Sequence, residues 1–179
     1  SSIHPWDVAF CGDRLKRHRF DVSDEDLRPY FPDQKVIDGL FEIVQRIFGV
    51  EVIPVTDMSV WHPDVTTYLI RRQGVPLARF YFDLYARSKK RGGAWMADCR
   101  CRRQDPAYGL TLPVAFLTCN FASPVNDQPA LLSHDDVVTL FHEFGHGLHH
   151  MLTQVDCASV SGINGVAWDA VELPSQFLE

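Results

Sequence analysis

The order of hydrophobic patterns along the chain predicts an α+β fold, with helical repeats at both ends and a strand-like stretch between them. Apolar residues recur at three- and four-residue spacing up to about residue 49 and again from about residue 133, whereas 50–121 reads as short strands separated by turn residues. At 179 residues, the chain is long enough for one domain with a hydrophobic core and short for two. With 46% apolar and 22% charged residues, its composition is that of a globular protein, which argues against disorder.

In the first zone, 1–49, Ser23-Asp24-Glu25-Asp26 reads as the capped start of a short helix ending before Pro32. Val36, Ile37, Leu40, Phe41, Val44, Ile47 and Phe48 then form one apolar stripe, with Gly49 as the stop. The second zone, 50–121, is predicted to form a mostly antiparallel sheet from strands at 50–55, 65–71, 77–84, 94–101 and 112–120. Gln73-Gly74-Val75-Pro76 connects the second and third strands as a hairpin, while Pro106 and Gly109 mark a loop before the last. In the third zone, 133–179, Ser133 caps a helix and Asp136 completes an acidic form of the capping box. Val137, Val138, Phe141, Phe144, Leu148 and Leu152 supply its apolar stripe, and 170–179 reads as a further helix. That helix reaches the last residue with no Gly, Asn or Pro to end it, and the chain opens at Ser1-Ser2 without methionine, so the sequence reads as an excised piece or a processed product.

Charge and composition exclude several function classes. With 17 basic and 23 acidic residues the net charge is −6, so no nucleic-acid surface is expected. The basic run Lys89-Lys90-Arg91 beside Gly92-Gly93 reads as a solvated turn. There is no run of roughly 18 apolar residues, so no membrane span is expected, and no signal peptide opens the chain. The five scattered cysteines, Cys11, Cys99, Cys101, Cys119 and Cys157, read as reduced thiols of a cytoplasmic protein.

The third-zone helix carries His142-Glu143-Phe144-Gly145-His146, an HExxH motif. Residues four apart on a helix lie about 40° apart around the axis and about 6 Å apart along it, so two imidazoles can converge on one zinc. Glu143 projects to a neighbouring side, where a carboxylate can act as general base on water. Three fixed residues would match by chance in roughly one chain of this size in a few hundred. A catalytic zinc takes a third protein ligand, and Glu172 is the candidate, 26 positions beyond His146 and past the turn-rich Ser161-Gly162-Ile163-Asn164-Gly165. Glu179 at the end of the chain comes second. His149 lies on the face of His142 but about 10 Å along the axis, so His149 and His150 read as packing residues.

The stretch LFHEFGHGLHH followed by SGINGVAWDAVELPSQ resembles the thimet oligopeptidase family of zinc peptidases. WHPDV, FYFDLYARSKKRGGAW and PVAFLTCNF extend the likeness over nearly the whole chain. The resemblance implies a zincin-like catalytic segment with one Zn²⁺ per chain, held by His142, His146 and Glu172, and with Glu143 as the catalytic glutamate. Asp169 matches a family acid close to the metal helices, which leaves it as either a partner for a ligand histidine or an acid that starts a helix. Family members are longer and mainly helical, with the site at the floor of a channel admitting short peptides, so the expected substrates are short oligopeptides. Their channel walls and C-terminal tyrosine and histidine groups lie outside this sequence. The resemblance therefore leaves two expectations: a zinc-dependent endopeptidase, or a zinc-binding piece of one that is catalytically incomplete and self-associates through its apolar surface.

Overall fold

The structure is a computed structural model that describes residues 3–126 and 128–179; the opening Ser1-Ser2 lies outside them. The chain folds as α+β around a five-stranded sheet. Its strands are β1 (Glu51–Val55), β2 (Thr66–Arg72), β3 (Val75–Tyr85), β4 (Trp95–Arg100) and β7 (Val114–Phe121), in the order β1-β2-β3-β7-β4. All neighbours are antiparallel except β3 and β7. Arg72 faces Val75 across the β2–β3 hairpin, leaving Gln73 (φ 51°) and Gly74 (φ 79°) as a two-residue turn. Positive φ at both positions matches the right-handed twist of the strands. A separate hairpin, β5 (Arg103–Asp105) with β6 (Gly109–Thr111), occupies the region read as a loop.

β7 lies inside the sheet, between β3 and β4, and six of its eight residues are buried. Such a continuous run of burial belongs to a strand covered on both faces. The edge beside the third-zone helix is therefore β4.

One face of the sheet carries the core. Helix α3 (Asp33–Phe48) buries Val36, Ile37, Leu40 and Val44, whereas Ile47, expected within the stripe, is half exposed. Gly49, at φ 63°, ends α3 by donating to the Gln45 carbonyl at 2.9 Å. Helix α4 (His134–Met151) packs on β7 and β4 beside it. Phe41 of α3 and Phe144 of α4 meet Phe80 and Phe82 of β3 in an aromatic cluster, with ring centroids 5.5–6.3 Å apart. Near the N-terminus, α1 (Val8–Phe20) buries none of its residues, and α2 (Asp24–Leu27) starts at the Ser23/Asp26 capping box.

The other face corrects the reading of the basic run. Lys90 is buried, with only 5% of its side chain exposed, and its ammonium donates at 2.8 Å to the Asp83 carboxylate and to the carbonyls of Asp83 and Tyr85. Asp83 points inward from β3, and a buried carboxylate requires cations. Arg87 supplies a second one and the Trp61 indole N–H completes the set. Burial pushes the Asp83 carboxyl up, but hydrogen bonds from Arg87, Lys90 and Trp61 outweigh it and hold the pKa at about 2.

The last helix is shorter than its pattern suggests: α5 runs Leu173–Leu178, and 170–172 forms a turn. Pro174 is the reason. Proline lacks an N–H and its ring clashes with a preceding turn of helix, so it belongs in the first turn and places the helix start just before itself.

Candidate metal centre

α4 begins where Ser133 accepts the Asp136 N–H at 3.1 Å while the Asp136 carboxylate accepts the Ser133 N–H at 2.8 Å. From this start the helix places His142 and His146 on one side, with ring centroids 4.9 Å apart. The Nε2 atoms of both rings approach the same oxygen, Glu172 Oε2, at 3.2 Å from His142 and 3.1 Å from His146. One donor atom from each residue lies within 4.8 Å of the others, the single His/Cys/Asp/Glu group of this kind among the described residues. Glu143 sits about 100° around the helix from His142 and is buried. Cys99 and Cys101, two residues apart in sequence, do not belong to that group. Cys101 lies beyond the end of β4, and its sulfur accepts from Asn164 at 3.0 Å.

Glu172 arrives through an irregular segment held at a few points. Gly162, at φ 64°, lies so close to His150 that a Cβ there would stand 2.6 Å from the imidazole Nδ1. His150 is fully buried and its Nε2 bonds the Arg100 carbonyl at 2.8 Å, which ties α4 and the returning loop to the end of β4. Gly145, inside the motif, lets α5 cross α4 in close contact. A Cβ on it would lie 2.5 Å from the Pro174 carbonyl oxygen and 2.6 Å from the Ser175 Cα. Ser175, fully buried, donates to the Glu172 carbonyl at 2.8 Å and to Oε2 at 3.0 Å. The side chain that points Glu172 at the histidines is thus the serine three residues on.

The electrostatics of the cluster follow from burial on one side and solvent on the other. Burial raises the Glu143 carboxyl above its ordinary value, opposed by the His142 charge and the Met96 amide of β4, and Glu172 pushes it further up. Burial lowers His146, with Glu172 pulling it back. The exposed Glu172 carboxyl is lowered, first by the Ser175 hydrogen bond and then by the histidines. His146 is thereby biased to neutral imidazole and Glu172 to carboxylate, the forms that bind metal.

The other named residues fall elsewhere. Asp169 is exposed on the turn before Glu172 and forms no hydrogen bond or ion pair among the described residues. His149 points away from the cluster into an apolar cleft of about 880 Å³ that Leu148, Leu173 and Phe177 also line. Glu179 brings Oε1 to 2.6 Å from His142 Nδ1. Gly145 and Ser175 escaped the sequence reading, although a glycine inside a helix, which costs about 1 kcal/mol against alanine, is itself a sign of close packing.

The comparisons define the class. The profile of Peptidase family M3 matches residues 1–179, and the chain belongs to that family. Among individual proteins it is 56% identical over 178 residues to oligopeptidase A of Escherichia coli (strain K12), covering 99% of this chain and 26% of that protein. It is 52% identical over 180 residues to oligopeptidase A of Haemophilus influenzae, covering 100% and 26%. It is also 46% identical over 184 residues to the chloroplastic/mitochondrial organellar oligopeptidase A of Arabidopsis thaliana, covering 99% and 23%. The chain spans about a quarter of the length of these relatives.

Proposed function

We propose that the chain carries the zincin-like catalytic segment of a zinc-dependent endopeptidase acting on short oligopeptides, with one zinc bound by His142, His146 and Glu172. The observation that carries this is the approach of both Nε2 atoms to one Glu172 oxygen, at 3.2 and 3.1 Å. Ligand atoms about 2.0–2.1 Å from a tetrahedral zinc stand roughly 3.3 Å apart, so the donor set fits the ion. When bound, zinc would supply Lewis acidity, polarising a peptide carbonyl and acidifying water to near neutrality.

Glu143 is the chain's own base. Its buried carboxylate takes a proton from the water that attacks the peptide carbon, and returns it to the amine nitrogen as the C–N bond breaks. β4 is one of the sheet's two edge strands, and its Met96 amide lies beside Glu143. A substrate in extended form that paired with this edge would bring its scissile bond toward the base. The names of the relatives support oligopeptides as substrates. The free cysteines favour a reducing compartment such as the cytoplasm, and no helix among the described residues is long and apolar enough to cross a membrane.

A second reading, that the segment holds metal without turnover, draws on the openness of the site. The Glu172 side chain is 52% exposed, and oxyanion stabilisation works best where water is excluded. Hydrolysis of a short quenched peptide, with zinc and with chelator, separates the two. Zinc-dependent cleavage supports the endopeptidase, one bound zinc without cleavage supports the second reading, and no zinc at neutral pH defeats both.

A further inference from the structure

We propose that Glu179 is a positioning residue of the metal site, accepting the Nδ1–H of His142 so that Nε2 presents its lone pair to the ion. The inference rests on the metal-site reading and extends it to a residue outside the ligand set. The two nitrogens of His142 have different partners: Nε2 stands 3.2 Å from the Glu172 carboxylate, and Nδ1 stands 2.6 Å from Glu179 Oε1. A neutral imidazole carries one N–H and one lone pair, and a carboxylate only accepts. Each nitrogen faces a carboxylate, and Glu179 is the closer of the two, so the ring's one N–H goes to Nδ1 and the lone pair stays on Nε2, the atom that would bind metal.

The arrangement follows from the spacing. Glu172 and Glu179 flank α5 at its two ends. Seven residues span nearly two turns of helix, so the two carboxylates fall within about 20° of one another around the axis and roughly 10 Å apart along it. One face of α5 thus meets His142 from both sides, with Glu172 at one ring nitrogen and Glu179 at the other. The face is held in place by buried Ser175 and Leu178 and by the close approach at Gly145. His146 has no counterpart to this, since its buried Nδ1 lacks a hydrogen-bond partner among the described residues. The positioning carboxylate thus serves one histidine only.

The test compares zinc affinity, by competition with a chromophoric chelator, in the full-length protein and in its Glu179→Ala and Glu179→Gln variants, alongside thermal melts of the metal-free proteins. Partners of this kind typically contribute 10–100-fold in metal affinity. Glu179→Ala should lose about that much while the metal-free melt stays at the wild-type temperature. Glu179→Gln, whose amide oxygen still accepts the Nδ1–H, should recover most of the loss. Alanine-variant affinity within twofold of a zinc-binding wild type overturns the positioning role and leaves the ligand set standing. The role also falls if the affinity loss comes with an equal loss of metal-free stability, or if glutamine binds as weakly as alanine. A wild type that binds no zinc overturns the metal-site reading and this inference together.

Discussion

The two sides of the proposed metal site are built in different ways. His142 and His146 stand on α4, an 18-residue helix with a complete capping box whose other face is packed on the sheet among Phe80, Phe82 and Leu117. Glu172 stands on a turn before a six-residue helix, in a segment with little regular structure. The first side is held by a large apolar interface. The second is held at particular atoms: Gly162 against His150, Gly145 against Pro174, and Ser175 on the carboxylate. Regular structure positions the two imidazoles and Glu143, whereas a few close contacts position the Glu172 carboxylate. Loss of one such contact should therefore harm metal binding before it harms the fold.

The largest expected effect lies on the regular side. Glu143→Gln should retain zinc while peptide hydrolysis falls about 10²–10⁴-fold, because the amide cannot accept the proton; near-normal turnover would remove Glu143 from the role. On the other side, Gly145→Ala forces the α5 backbone away from α4. Its zinc affinity should fall roughly tenfold or more, about 1.4 kcal/mol, with far-ultraviolet circular dichroism unchanged. Wild-type affinity in that variant would show that close helix contact does not position Glu172.

Away from the site, the Asp83 network tests whether the sheet side carries its own electrostatic support. The folded Asp83 carboxyl, held at about 2 against an ordinary 3.8, contributes stability that is fully present above pH 4 and is lost as pH falls through 2. Denaturant melts should show that slope, and Asp83→Asn should flatten it. The smallest effect is expected from Asp169→Asn, with zinc affinity changing less than about twofold, since the side chain is exposed and unbonded among the described residues. A larger loss would restore Asp169 as a partner of the metal ligands.

What was legible in the sequence follows the same division. The start of α4 and the shared side of His142 and His146 depend on residues three and four apart, so local spacing reveals them. The α+β class and the Gln73-Gly74 hairpin are likewise local patterns. Strand order is not local: nothing in the pattern of the last strand shows that it lies inside the sheet, with β3 and β4 both paired to it. Lys90 reads as solvated until the inward turn of Asp83, seven residues earlier, gives it a buried partner. The helix expected over 170–179 was placed too early because periodicity outweighed Pro174, whose restriction sets the start. Gly145 and Ser175 act through contacts between two elements, so their roles emerge only once α5 is seen crossing α4.

The central claim is that Glu172, delivered by the irregular segment, completes a metal site begun by the HExxH helix. Zinc titration of the wild type and of Glu172→Ala, side by side at neutral pH, tests it most directly. The account predicts one zinc per chain for the wild type and affinity reduced by well over tenfold (more than about 1.4 kcal/mol) for the variant, because two imidazoles remain and the balancing negative charge is gone. Equal affinity in the two proteins would contradict it.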